Sequence, residues 1–134
     1  MKKLVQAVGT RKKAVARATL KPGTGVVRIN SKRLEQIQPE MSRFRMMEPL
    51  LLAGEMASKV NIDVNVNGGG AMGQTDAVRL AIGKALVDFG GGQRLKQIML
   101  DYDRTLLVAD VRQRETRKPN KHGNARAKVT KSYR

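Results

Sequence analysis

The chain of 134 residues predicts an α+β domain followed by a basic tail that has no core of its own. Three features carry that expectation. Short strand-like segments are separated by turn residues, a long amphipathic helix follows a run of glycines, and hydrophobic periodicity stops after Asp110. The length suits one folded unit. The expected division is a globular domain over 1–110 and an extended tail over 111–134.

Residues 3–9 and 14–21 read as strands. In the second, Ala14-Val15-Ala16-Arg17-Ala18-Thr19-Leu20 alternates and sets Arg17 and Thr19 on one face. Gly9-Thr10-Arg11-Lys12-Lys13 forms a basic turn between them. Pro22-Gly23-Thr24-Gly25 is a second turn, and Val26-Val27-Arg28-Ile29 a third strand. Residues 33–37 and 40–47 read as helical, with Met41 and Phe44 at i, i+3 spacing. Pro49 interrupts that pattern, so a second helix is expected to begin near it and run through Leu50, Leu51, Leu52 and Met56. The methionines here read as core fillers, because a flexible thioether packs irregular gaps. Val60-Asn61-Ile62-Asp63-Val64-Asn65-Val66-Asn67 alternates four times and is the clearest strand. A helix over 75–89 carries an apolar stripe at 77, 78, 81, 82, 85, 86 and 89, the width needed to pack on a sheet. Ala77, Ala81 and Ala85 run down one edge of it and permit close approach. Gly90-Gly91-Gly92 ends it. A short helix is expected over 94–101, and Leu106-Leu107-Val108-Ala109 as a last strand.

Hydrophobic residues are 40% of the chain and aromatics only 3%, with no Trp, so the core is aliphatic. The formal net charge is +16 and the sequence pI about 11.0. Residues 1–34 hold ten Lys/Arg and no acid; 35–110 hold eight Lys/Arg and ten acids; 111–134 hold nine Lys/Arg and one acid, Glu115. A solvated surface normally mixes signs, because like charges repel when nothing neutralises them. Two cationic ends around a near-neutral middle therefore imply a polyanionic partner. With no cysteine, disulfides, thiolate metal sites and Cys nucleophiles are excluded. The first residues lack a signal-peptide apolar run, and no stretch approaches the ~18 apolar residues of a membrane span. The expected location is cytoplasmic.

Gly68-Gly69-Gly70-Ala71-Met72-Gly73 matches GxGxxG between a predicted strand and a predicted helix. A dinucleotide fingerprint also needs an acid at the end of a following strand about 20 residues on, and the rest of a doubly wound sheet. Asp88 instead falls inside the helix, and the chain after the motif is largely basic tail. Lys-Ser/Thr does not follow Gly73, so it is no P-loop. A tight turn explains the glycines. Bare N–H groups at a helix start also suit an anion, here an RNA phosphate.

His122 stands alone, with no second His and no Cys to complete a metal shell. Asp101 and Asp103 flank Tyr102 in an expected turn, where capping is the natural role. Nothing assembles a nucleophile, base and orienter. No enzyme, no cofactor, no metal and no small-molecule substrate are expected.

The stretch from Gly68 to Leu86 closely resembles the signature of the ribosomal protein nine family of the small subunit. Gly9 to Arg17 is similar to that family's N-terminal basic loop and strand. Arg117-Lys118-Pro119, Ala125-Arg126-Ala127 and Lys131-Ser132-Tyr133-Arg134 resemble its C-terminal extension. The order is kept and nearly the whole chain is covered. Tyr133 stands where the commonest bacterial form has Lys, and Ser-Tyr-Arg resembles the archaeal and eukaryotic branch. The resemblance implies a mixed four-stranded sheet packed with helices, including a left-handed βαβ crossover. It also implies a place in the small-subunit head on ribosomal RNA, with a tail reaching the peptidyl-site tRNA.

The candidate rRNA contacts are Thr10, Arg11, Lys12, Lys13 and Arg17 in the first basic block, with Arg28, Lys32 and Arg33 beyond them. Gly69, Gly70 and Gln74 join them at the glycine turn. Arg112, Arg114, Arg117, Lys118, Lys121, Arg126 and Lys128 extend the set along the tail. Lys131, Tyr133 and Arg134 are the candidate tRNA contacts. Other head proteins are the further expected partners. A tail with so few large hydrophobes cannot offset its ordering entropy alone and is expected to fold on binding. Rival readings are a DNA-compacting protein, which would show a dimer surface or minor-groove arms, and a dinucleotide enzyme. Membrane binding is disfavoured because neither basic block forms a helix with an apolar face.

Overall fold

The computed structural model describes residues 4–90 and 92–126. Strands β1 (Val5–Arg11) and β2 (Ala14–Pro22) form an antiparallel hairpin across the Lys12-Lys13 turn. Strand β3 (Val27–Ile29) turns through Asn30 and Ser31 into the two-residue β4 (Lys32–Arg33). Helix α1 (Glu40–Ala53), strand β5 (Val60–Asn67), helix α2 (Ala71–Gly90) and helix α3 (Gln93–Tyr102) follow. The sheet is mixed, in the order β1-β2-β5-β3-β4, with β3 parallel to β5 and the other pairs antiparallel.

The alternation read from the sequence sets which face is buried. Register aligns Val5, Leu20, Ile62 and Val27 in one row, and Ala7, Ala18, Val64 and Ile29 in the next. All eight are buried. Helix α2 lies across β1, β2 and β5 on that face, and α1 and α3 pack against α2. Small residues permit the close approach: Ala77 and Ala81 meet Gly9 of β1, where a methyl group would collide with helix backbone. Gly83 of α2 is likewise pressed against the Leu106 carbonyl, 2.5 Å from where a Cβ would stand.

The sheet has five strands where the family resemblance implies four. The Asn30-Ser31 turn has positive φ at both residues (50° and 70°), the geometry of a tight hairpin, and it adds β4 at the edge. Asn30 also extends the ladder with its side chain, accepting from the Val66 N–H at 2.9 Å and donating to the Val66 carbonyl at 3.2 Å. The expected break at Pro49 does not occur, and α1 runs through it. Pro49 is buried, and the adjacent Glu48 is tied to Arg79 of α2, so tertiary packing overrides the local breaker. Leu106-Leu107-Val108-Ala109 forms no strand. Asp103 accepts hydrogen bonds from the Thr105 N–H (2.9 Å) and hydroxyl (2.8 Å), which winds 104–106 into a 3-10 turn and buries Leu106.

Candidate nucleic-acid interface

Strand residues of opposite parity to the core point away from all three helices. Gln6 and Val8 of β1, Arg17 of β2, Asp63 and Asn65 of β5 and Arg28 of β3 are exposed, leaving one face of the sheet open. Register sets Arg17 opposite Val8 and Asn65, and Arg28 opposite Asp63 on one side and Arg33 on the other. Like charges directly opposite each other in an antiparallel pair are destabilising unless something neutralises them. Among the described residues Arg33 is ion-paired only with Glu35, at 3.7 Å. Among the described residues Arg28 has no ion pair. Lys32, beside this pair, is exposed.

The β1–β2 turn presents Lys12 and Lys13 outward, with Lys12 at φ 54°. Arg11, expected to share that role, turns inward instead. Its guanidinium pairs with Asp110 through Nη1 and lies 3.8 Å from Asp76 through Nε. Thr10 is half-buried beside it, in a polar cleft of about 140 Å³ that also holds Arg45, Arg79 and Arg112.

The glycine turn has a structural cause. Gly68 (φ 80°) packs against the Lys13 carbonyl, too close for a Cβ, and Gly69 (φ 66°) lies tightly against Ala14; both positive φ values favour glycine. The Gln74 side chain donates to the Gly68 carbonyl at 3.2 Å and closes the turn. Gly70 is different, with open space where its Cβ would be. The start of α2 is therefore reachable at Gly70.

Residues 111–120 are exposed throughout and form neither helix nor strand. A loop closes where the Lys118 N–H donates to the Asn124 carbonyl at 3.1 Å. It is turned by positive φ at Asn120, His122 and Gly123. Arg112 makes a forked contact to Asp110 (2.6–3.1 Å), and Arg126 one to Glu115 (2.6–3.1 Å). These contacts hold both carboxyls below the ordinary carboxylate range, each chiefly through its arginine's side-chain hydrogen bonds, and raise both guanidinium pKa values. Arg114, Arg117 and Lys118 are exposed and Lys121 is half-buried; among the described residues none of the four has an ion pair. Lys128, Lys131, Tyr133 and Arg134 lie outside the described residues.

The sequence profile described as ribosomal protein S9/S16 matches residues 9–134. The chain belongs to the ribosomal protein S9/S16 family. It is 50% identical over 133 residues to a protein of Methanococcus maripaludis named small ribosomal subunit protein uS9, covering 98% of this chain and 99% of that one. Proteins of the same name from Methanococcus vannielii and Methanothrix thermoacetophila are 48% and 49% identical over the same shares of the two chains. These relatives are archaeal, in keeping with the Ser-Tyr-Arg ending. Members of the S9/S16 family are structural components of the small ribosomal subunit and typically bind its RNA; they are not enzymes.

Within this S9/S16 fold, the described candidates differ in exposure and in pairing. Lys12, Lys13, Arg17, Arg28 and Gly70 stand exposed on the open face and its turns, whereas Lys32, also exposed, lies opposite Ile29 and so on the helix side of the sheet. Arg11, Gln74, Arg112 and Arg126 have intramolecular partners. The sequence reading missed Arg79. It is 4% exposed and donates to Glu48 of α1 (2.7 Å), Thr105 (3.0 Å) and Asp103 (3.1 Å). Arg45 adds an ion pair to Asp76 at 3.0 Å. The available signal was position: 75, 79, 82 and 86 share a helix face, so Arg79 sits on the apolar side.

Proposed function

We propose that the chain is a structural constituent of the small-subunit head. It binds ribosomal RNA through its open sheet face and basic turns, and reaches the peptidyl-site tRNA with its C-terminal residues. The observation that carries the RNA reading is the unneutralised cation set of Lys12, Lys13, Arg17 and Arg28, with Arg28 directly opposite Arg33. Phosphates relieve that repulsion and release condensed counterions. Specificity then comes from RNA shape more than from base edges.

In this reading 1–110 is the anchoring domain and 111–134 the tail. Arg114, Arg117, Lys118, Lys121, Arg126 and Lys128 line rRNA, and Gly69, Gly70 and Gln74 offer the start of α2 to a phosphate. Lys131, Tyr133 and Arg134 approach the tRNA, Tyr133 with a stacking face. The connection from β3 through α1 to the parallel β5 is taken as left-handed, from the family resemblance. The setting is the cytoplasmic ribosome, among other head proteins, without membrane, cofactor or small-molecule substrate.

Replacing Lys12, Lys13, Arg17 and Arg28 together by Ala is expected to reduce the slope of log affinity against log salt by about 3 for small-subunit RNA. Filter binding across a salt series measures it, and an unchanged slope overturns the interface. Deleting 129–134 is expected to leave incorporation into subunits normal while weakening peptidyl-site tRNA binding. Lost incorporation would refute that division of labour.

A further inference from the structure

A cavity of about 220 Å³ lies at the edge of the sheet, where two helices begin. Pro39 and Ser42 line it from the start of α1, and Ala71 and Gln74 from the start of α2. In α1 the Arg43 N–H donates to the Pro39 carbonyl at 3.2 Å, and in α2 the Gln74 N–H donates to the Gly70 carbonyl at 2.9 Å. The N–H groups ahead of these donors, at 40–42 and 71–73, have no acceptor within their own helix. No side-chain hydrogen bond from Pro39 caps α1. The positive ends of two helix dipoles therefore meet at one cavity.

The cavity also carries an unpaired polar group. Ser42 is 2% exposed, and its hydroxyl has no hydrogen-bond partner among the described residues. A buried hydroxyl left unpaired is costly, and a polar ligand in the cavity can pair with it. Lys32 is the only charged residue of the lining. It lies on the helix side of the sheet, away from Arg17 and Arg28, and has no ion pair among the described residues. Glu40, the acid at the start of α1, is outside the lining and is paired with Arg43 at 3.2 Å.

Much of the remaining lining is hydrocarbon, from Ile29, Ile37, Met46 and Val66. Met46 is buried, as the sequence reading expects of methionines here, but Met41 and Phe44 of the same helix are exposed. The volume exceeds the ~150 Å³ at which an apolar cavity accepts benzene, so one flat ring fits. The Asn30 amide is occupied by Val66, and the Gln74 amide nitrogen by the Gly68 carbonyl. The Gln38 amide and the Gln74 amide oxygen make no hydrogen bond among the described residues, which leaves polar edges for a base.

We infer that this cavity holds one unstacked nucleotide of the small-subunit RNA, with its phosphate at the two helix starts and Lys32 and its base against the aliphatic lining. The inference deepens the RNA reading and rests on it. A phosphate at the start of α2 needs only Gly70. A whole nucleotide also accounts for the unpaired Ser42 hydroxyl and for Lys32 standing apart from the open face.

In the test, intact small subunits are irradiated with short-wave ultraviolet light, and tryptic peptides that carry a nucleotide are sequenced by mass spectrometry. The peptide Leu34–Arg43 is expected to carry one, at Ile37, Gln38, Pro39 or Ser42. Nucleotides on peptides from 12–28 with none on the cavity residues overturn the inference and leave the open face standing. No nucleotide anywhere on the chain overturns both. As a second arm, Ala71→Phe fills the cavity from an exposed position. It is expected to keep the thermal midpoint of the free chain and to lower affinity for small-subunit RNA about tenfold, the order of one lost base contact; unchanged affinity overturns the inference. Should that variant unfold, Lys32→Ala is expected to lower the slope of log affinity against log salt by about 1, and an unchanged slope counts against the inference. Adenosine and uridine monophosphate titrated into the free chain are expected to bind no tighter than millimolar. Saturation at micromolar concentration would give the cavity to a free nucleotide and overturn its assignment to RNA.

Discussion

Arg79→Met is expected to lower the unfolding free energy of the free chain by about 2–3 kcal/mol, read from the urea midpoint. The guanidinium is buried and joins three elements: Glu48 on α1, Asp103 after α3, and Thr105 in the 3-10 turn. Methionine fills similar space but leaves two carboxylates without their cation. The cost sits below the ~3–5 kcal/mol of breaking a fully buried pair, because Glu48 and Asp103 both keep some exposure to water. Arg79→Lys is expected to recover less than half of it. One ammonium cannot serve three acceptors spread around a planar fork. A midpoint unchanged in Arg79→Met would show that the network contributes nothing.

The same cluster makes stability pH-dependent in a definite direction. The Asp103 carboxyl is held below its ordinary value, first by the Thr105 N–H, against the opposing effect of burial, with the Thr105 hydroxyl and Arg79 adding to the lowering. A depressed folded-state pKa adds stability that is complete above the unfolded value. It is lost as pH falls below about 4 toward the folded value. Unfolding measured at pH 7 and pH 3 is expected to differ more in the parent chain than in Arg79→Met.

Gly9→Ala is expected to destabilise by about 3 kcal/mol, at the upper end of overpacking costs. The added methyl would sit on the Ala77 carbonyl oxygen and 2.6 Å from the Ala81 nitrogen. Both are backbone atoms of α2, so no side chain can swing away. Helix and strand must separate at the centre of the main packing surface. Gly70→Ala is the control, because its Cβ meets nothing. Thermal melts of the two variants should diverge by several degrees; equal midpoints would refute the close-approach argument.

Where one local pattern decided an element, the sequence was readable. Val60 to Asn67 alternates without a break, and the observed strand has those ends. The stripe from Ala77 to Phe89 gave α2, although the helix starts earlier, at Ala71. Elements fixed by distant partners were not readable. Pro49 is a breaker until Glu48 is joined to Arg79. Leu106 to Ala109 has strand composition until Asp103 captures Thr105. Strand β4 is two residues long, below any periodicity. The interface shows the same divide. Blocks of Lys and Arg are visible in the sequence, but Asp110 removes Arg11 from the free set only through an ion pair between residues far apart in the chain. Nor could the sequence show that Phe44 faces solvent, since i, i+3 spacing suits either side of a helix.

The Arg28–Arg33 juxtaposition gives dissolved ions opposite effects on the free and assembled protein. Alone, the chain carries facing cations at the sheet edge, and added electrolyte shields their repulsion over about 10 Å at 0.1 M. In the proposed RNA-bound state the same electrolyte competes with the phosphates and loosens the complex. Electrolyte that relieves this one repulsion in the lone polypeptide therefore works against binding at the same site.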